Sequence, residues 1–158
     1  MSGGAVRVIA PVVRPFVNGD FDVLVQCWHE TNRISYPYVE EHQKHTLAQA
    51  RVFFRDRVVA RCEVWVAVHS ATCLGMLALQ APWIRQLAVF PEFQRRGVGT
   101  ALLRKAQERS PVGLRLFTFQ RNQAARAFYE KHGFSADAFG VSPAPEREPD
   151  VEYHWGVD

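Results

Sequence analysis

A chain of 158 residues, 47% hydrophobic and 22% charged, has the size and make-up of one globular domain around a single core, which excludes general disorder. No apolar run approaches the roughly 20 residues of a membrane span, and Arg7 stands where a secretory signal needs its apolar stretch, so neither a membrane partner nor export is expected. The net charge of +3 hides an uneven split: residues 83–133 carry ten Arg or Lys against three Glu, a local +7 that suggests an anionic partner, either nucleic acid or a phosphate-bearing cofactor.

The valine-rich stretch 6–13 predicts a first strand, with Pro11 placing it near an edge or a bulge. Asn18-Gly19-Asp20 is a turn ending in a helix-capping residue, and Phe21, Leu24, Trp28 and Thr31 follow helical spacing, so a helix is predicted over 20–33. Residues 35–40, with Pro37, read as a loop, and Thr46 caps a second helix with Leu47, Ala50, Phe54 and Val58 along one face. The period then falls to two: 63–68 and 74–79 predict consecutive strands joined by a turn, and 84–90 a further strand stopped by Pro91. A helix over about 97–109 turns Val98, Ala101, Leu102 and Ala106 inward and is broken by Pro111. A strand at 114–119, a helix at 122–132 closed by Gly133, a strand at 134–141, a Pro-rich loop at 142–149 and a last strand at 151–157 follow. No repeat or linker divides the chain, so residues 1–158 form one domain. The order βααβββαβαββ makes it a mixed α/β (α+β) fold, a central mixed sheet flanked by about four helices.

The chemistry is concentrated where strand 84–90 passes through Pro91-Glu92-Phe93-Gln94-Arg95-Arg96 into a helix opening with Gly97-Val98-Gly99-Thr100. The first turn of a helix has N–H groups without internal partners and a partial positive charge. Gly97 and Gly99 remove side chains that would keep an anion away, and Thr100 adds a hydroxyl, so a pyrophosphate is the natural occupant. A dinucleotide fingerprint fails because Leu102 stands where its third glycine belongs. A nucleoside-triphosphate P-loop fails because Gly99-Thr100-Ala101 replaces its Gly-Lys-Ser/Thr.

Gln94-Arg95-Arg96-Gly97-Val98-Gly99 resembles the Q/R-x-x-G-x-G/A signature of the GCN5-related N-acetyltransferases (GNAT). A second stretch, Asn122-Gln123-Ala124-Ala125-Arg126-Ala127-Phe128-Tyr129-Glu130-Lys131-His132-Gly133-Phe134, is similar to that family's N-x-x-A-x-x-F-Y-x-x-x-G-F segment. The resemblance covers about the last half of the chain and implies a mostly antiparallel sheet that binds acetyl-coenzyme A as cosubstrate. Main-chain N–H groups of Arg95, Arg96, Gly97, Val98, Gly99 and Thr100 would hold the pyrophosphate. Leu87 and Val89 would pair with the pantetheine arm as with an added strand, and the Val89 N–H would meet the oxyanion formed on attack. The resemblance further implies that Asn122 binds the arm, that Phe128 packs under the cofactor, and that Tyr129 is the general acid toward the departing thiolate. Arg95, Arg96 and Arg126 are candidates to reach phosphates.

Acyl transfer to an amine also needs a base. Several members of the family use a glutamate on the central strand, but Trp83–Val89 holds no acid. The candidates are Glu30, taken as the working choice, with Glu40, Glu41, Asp150 and Glu152. Six acids between 137 and 158 (Asp137, Glu146, Glu148, Asp150, Glu152 and Asp158) suggest a pocket for a cationic amine, with Trp28, Tyr36, Tyr38 and Trp155 as candidate walls, although Trp28 reads rather as core.

No metal site is expected, since His42 and His45 lack completing ligands. The three cysteines, Cys27, Cys62 and Cys73, form no CxxC pair; they suit a reducing cytoplasm, and Cys27 and Cys73 read as small core residues. The expected activity is acetyl transfer to a small-molecule primary amine by direct attack in a ternary complex, because no activated nucleophile is evident. The alternatives are acetylation of a protein lysine or N-terminus, or a coenzyme A-binding module without turnover. Nucleic-acid binding has only the basic charge in its favour and is not expected. Oligomeric state is left open, a homodimer included.

Overall fold

The computed structural model describes residues 8–157, so Val6 and Arg7 of the expected first strand and Asp158 of the acidic segment lie outside the described residues. In chain order the elements are β1 (Val12–Pro15), α1 (Phe21–Ser35), α2 (Glu40–Lys44), α3 (Leu47–Phe53, continued by a π-helical stretch Phe54–Val59), β2 (Glu63–His69), β3 (Thr72–Gln80) and β4 (Trp83–Val89). Then come α4 (Val98–Arg109), β5 (Gly113–Phe119), α5 (Gln123–Lys131), β6 (Ser135–Val141) and β7 (Pro149–Gly156). One seven-stranded sheet has the order β1-β2-β3-β4-β5-β7-β6. Every neighbouring pair is antiparallel except β4 with β5, which is parallel.

Alternation along β3 explains the two-sided core. Met76 and Ala78 face α1 and α3, with Leu24, Trp28, Ala50 and Phe54, while Leu77 and Leu79 face α4 and α5, with Leu102, Leu103, Ala106 and Tyr129. A strand buried on both faces reads as a continuous apolar run, as Leu74-Gly75-Met76-Leu77-Ala78-Leu79 does. Cys27 is fully buried among the first set, and all three cysteines are free thiols.

Three local expectations are corrected. The first strand lies at Val12–Pro15, not 6–13, because its partners Trp65, Ala67 and Val68 on β2 meet it only there. The preceding segment turns away, and the Ile9 N–H donates to the Arg96 carbonyl at 2.8 Å. The stretch expected as loop before Thr46 contains the short α2, whose residues Glu-Glu-His-Gln-Lys carry no apolar period to announce it. Asp20 does not cap α1 with its side chain. Its carboxylate instead takes both Arg14 guanidinium nitrogens (2.8 and 2.9 Å) and the Val17 N–H (2.9 Å), tying β1 to the start of α1. The Thr46 cap is present: its Oγ1 accepts from the Gln49 N–H at 3.1 Å and Gln49 Oε1 accepts from the Thr46 N–H at 2.9 Å.

Candidate active site

β4 and β5 touch only at their start. Trp83 pairs with Arg115, the Arg115 N–H donates to the Pro82 carbonyl at 2.8 Å, and no later pair joins the two strands. Beyond that point main-chain direction decides what the gap can hold. The Phe90 N–H donates to Leu74 O at 3.0 Å, so on an antiparallel ladder residues 86, 88 and 90 bond toward β3, while Leu87 and Val89 present their N–H and C=O to the β5 side. The Val89 carbonyl is occupied by Gln94 Nε2 at 3.0 Å, with the Thr31 hydroxyl at 3.5 Å, which leaves its N–H as the group facing the gap. A cavity of about 660 Å³ fills the opening.

At its far end the cavity meets the start of α4. Arg95 has φ +60° and Gly97 φ +88°, while Arg96 and Val98 have negative φ. Alternating signs over four residues turn successive N–H groups to one side, the main-chain nest that holds phosphate. Gly97 is the helix N-cap and supplies no side-chain bond, so the N–H groups of the first turn are left for a ligand. Gly99 keeps the floor low: a Cβ there would lie 3.4 Å from the Phe128 ring and 4.0 Å from Val89 Cγ2. Arg85, Arg95, Lys131 and His132 line the cavity and no carboxylate does, among the described residues. This donor set fits a diphosphate with an amide-bearing arm.

Residues 60–136 match the family model of the GNAT acetyltransferase domain. Over that stretch the chain is similar to the GNAT acetyltransferases. It is 26% identical over 124 residues to the peptidyl-lysine N-acetyltransferase YiaC of Escherichia coli, covering 78% of this chain and 82% of that protein. It is 38% identical over 111 residues to streptothricin acetyltransferase A of Bacillus subtilis, covering 65% and 61% respectively. The GCN5-related N-acetyltransferase of Rhodopseudomonas palustris shares the fold, with a TM-score of 0.81 at 20% identity over 98% of this chain and all of that one. Among the described residues no helix is long and apolar enough to cross a membrane.

Of the site residues expected for a GNAT enzyme, Leu87, Val89, Arg95, Gly97, Gly99, Thr100, Asn122, Phe128 and Tyr129 line this one cavity. Val98 is a core residue, 1% exposed, and contributes only main chain. Arg96 is outside the lining, its carbonyl held by Ile9. Asn122 is the cap of α5: its Oδ1 accepts from the Ala125 N–H at 3.1 Å, and its Nδ2 points to the Tyr36 hydroxyl at 3.4 Å. The Thr100 hydroxyl is engaged by His132 Nε2 at 3.2 Å rather than offered to an anion. His132 Nδ1 lies 2.8 Å from the Phe128 carbonyl, which only accepts, so Nδ1 is the donor of that bond. Tyr129 is 8% exposed, and among the described residues nothing bonds its hydroxyl. Burial, with the Tyr36 hydroxyl nearby, pushes its pKa well above the ordinary phenol value, so it is protonated at neutral pH.

Other expectations part company with the geometry. Glu30 lies on α1 beside Cys27 and outside the cavity, although its neighbour Thr31 lines it. Glu40 is paired with Lys44, and the Glu41 side chain lies outside the described ones. Arg126 does not reach the nest: its guanidinium donates to the Tyr153 hydroxyl at 3.0 Å and sits over Phe139. Trp28 is core, as its reading suggested, and donates to Gln86 Oε1 at 2.9 Å, and Trp155 packs on Phe134. Tyr36 is a wall, as expected. It closes the 660 Å³ cavity and also lines a second one of about 450 Å³, which contains Asp150. Gln94 and Gly75, which set the Val89 main chain, were missed; Gln94 lay inside the recognised motif, whereas Gly75 gives no sequence signal.

Proposed function

We propose that this chain transfers the acetyl group of acetyl-coenzyme A to the primary amine of a small molecule by direct attack in a ternary complex. The observation that carries the reading is the opened β4 edge, whose Leu87 and Val89 main-chain groups face a cavity ending at the phosphate nest. When bound, acetyl-coenzyme A supplies a thioester carbonyl for attack. The nest of Arg95 to Thr100 holds its diphosphate, and the Leu87 main chain pairs with its amide arm. The Val89 N–H, fixed because Gln94 and Thr31 hold the same residue's carbonyl, stabilises the oxyanion. Tyr129 delivers the proton to the sulfur as the C–S bond breaks. Asp150 replaces Glu30 as the candidate base, since it lines the cavity that adjoins the acyl site and Glu30 lines neither.

One relative is named for peptidyl-lysine and another for streptothricin, so both protein and small-molecule acceptors occur among similar chains. A small molecule is favoured here by the size of the second cavity, about 450 Å³, within the range of ligand pockets. The test is titration calorimetry with acetyl-coenzyme A, followed by thiol release with a panel of primary amines. One-to-one binding and amine-dependent release are expected. Absence of binding would overturn the reading.

A further inference from the structure

The second cavity shares Tyr36, Phe117 and Thr118 with the acyl cavity, so the two adjoin at one wall. Its other walls come from β6, the loop after it and the end of β5. Phe117, on the same face as Asp150, is 54% exposed, whereas Phe139, paired with Val151, projects from the opposite face, where Arg126 sits over it. Phe119, set edge-on to Tyr36 at 5.0 Å, extends the Phe117 face.

Charge narrows the occupant. The C-terminal acids are expected to form a pocket for a cationic amine, but most of those described are held by partners within the fold. Asp137 and Glu152 bind Arg115 at 3.4 and 3.2 Å, and Asp137 also meets His154 at 2.6 Å. Glu148 faces Arg121 at 3.4 Å, and Glu146 faces His42 at 3.7 Å. Asp150 is the one carboxylate that lines either cavity, among the described residues, and no cation there pairs with it. Its position along the sheet is suitable. Four residues beyond the pairing of Trp83 with Arg115, Leu87 stands level with Phe119, and Asp150 is the β7 partner of Phe119.

We propose that the acceptor is a primary amine bearing a single positive charge on an apolar body of about aromatic-ring size, with its ammonium on Asp150 and its body on Tyr36, Phe117 and Phe119, which share the Asp150 face of the sheet. The inference rests on the acetyl-transfer reading above and specifies its substrate. An apolar body gains by leaving water on these rings. Each further ammonium of a polyamine would be desolvated against aromatic rings without a partner, and an amino sugar's hydroxyls would lose water without replacement. The chemistry balances: Asp150 takes a proton from the ammonium, and the freed lone pair forms the C–N bond at the thioester carbonyl. The C–S bond breaks with its electron pair on sulfur, which takes the Tyr129 proton. Of the two protons the nitrogen sheds, one is thus made up on sulfur and the other passes to solvent. The neutral amide has no charge for Asp150 and departs.

The test uses the full chain with acetyl-coenzyme A and measures thiol release with 2-phenylethylamine, spermidine, glucosamine and a lysine peptide. A kcat/KM for 2-phenylethylamine at least about tenfold above each of the others is expected. Asp150→Asn should lower that value by about tenfold or more while leaving the Kd for acetyl-coenzyme A unchanged. Phe117→Ser, at a half-exposed position on the Asp150 face, should raise KM for 2-phenylethylamine with kcat nearly constant, and it decides alone if Asp150→Asn does not fold. Equal or better turnover of spermidine, glucosamine or the peptide overturns the inference, as does wild-type behaviour of either variant. If acetyl-coenzyme A binds and only the other amines react, the acceptor class is wrong and the acetyl-transfer reading stands. If acetyl-coenzyme A does not bind, the acetyl-transfer reading itself has failed.

Discussion

Tyr129 sits where a phenol can hold a proton for sulfur. It is nearly buried among Phe128, Phe134 and Tyr153, its ring edges into the acyl cavity, and burial keeps it neutral at any pH at which the enzyme would work. Tyr129→Phe removes one oxygen and leaves the packing, so the melting temperature should be little changed. The expected outcome is a fall in kcat of about ten- to a hundredfold with acetyl-coenzyme A affinity within about twofold, checked by thiol release and calorimetry. Unchanged turnover would remove Tyr129 from the reaction. Tyr129, Gly97 and Gly99 were legible because their motifs are local. Gln94 as the brace of the Val89 carbonyl was not, nor was it that Tyr36, read as a wall, closes both cavities, since each depends on neighbours that only the sheet brings near. Arg95 could not be read as a left-handed residue either; that region favours glycine, and here the loop holds an arginine in it.

Among the elements, two glycines separate strand packing from strand function. A Cβ on Gly75 in β3 would lie 2.5 Å from the Ala88 carbonyl oxygen and 3.1 Å from Val89 Cα. A Cβ on Gly156 in β7 would lie 2.6 Å from both Gly113 Cα and the Val112 carbonyl oxygen, at a backbone φ of +109°. Both alanine variants should therefore lose about 1–3 kcal/mol in urea unfolding, with Gly156→Ala the worse because conformational strain adds to the collision. Only Gly75→Ala pushes on the strand that aims the Val89 N–H. Its kcat should drop about tenfold or more, while folded Gly156→Ala keeps near-normal kcat. Equal effects on kcat would break the link between β4 placement and turnover. Strands β2 to β5 and β7 and the helices α1, α3, α4 and α5 were readable from period and caps, and the order βααβββαβαββ is found with one short helix added. The first strand was misplaced because valine-rich sequence extends on both sides of Pro11, and which part pairs is settled by β2, far along the chain.

Over the whole molecule the charge is divided between two adjoining cavities. The sequence showed the basic stretch, and Arg85, Arg95 and Lys131 bring part of it to the acyl cavity, where no acid answers it among the described residues. It did not show that most of the C-terminal acids are spent on Arg115, Arg121, His42 and His154, because ion pairing between distant segments leaves no trace in composition. What remains is a cationic cavity for an anionic cosubstrate beside an apolar cavity with one carboxylate. Salt should act on them differently. Arg95 is exposed at the rim, and interactions of exposed charges fade as the screening length shrinks from about 10 Å at 0.1 M toward about 3 Å at 1 M salt. Raising NaCl from 0.05 to 0.5 M should therefore weaken acetyl-coenzyme A binding by about five- to tenfold. Acetyl-pantetheine, which lacks the phosphates, should show almost no change in KM. A monocationic apolar amine should change little as well, because Asp150 is partly desolvated, with burial holding its carboxyl above the usual range, and partly buried pairs are screened less. A flat salt response for acetyl-coenzyme A would mean that the main-chain nest holds the diphosphate unaided and that the basic stretch serves some other purpose.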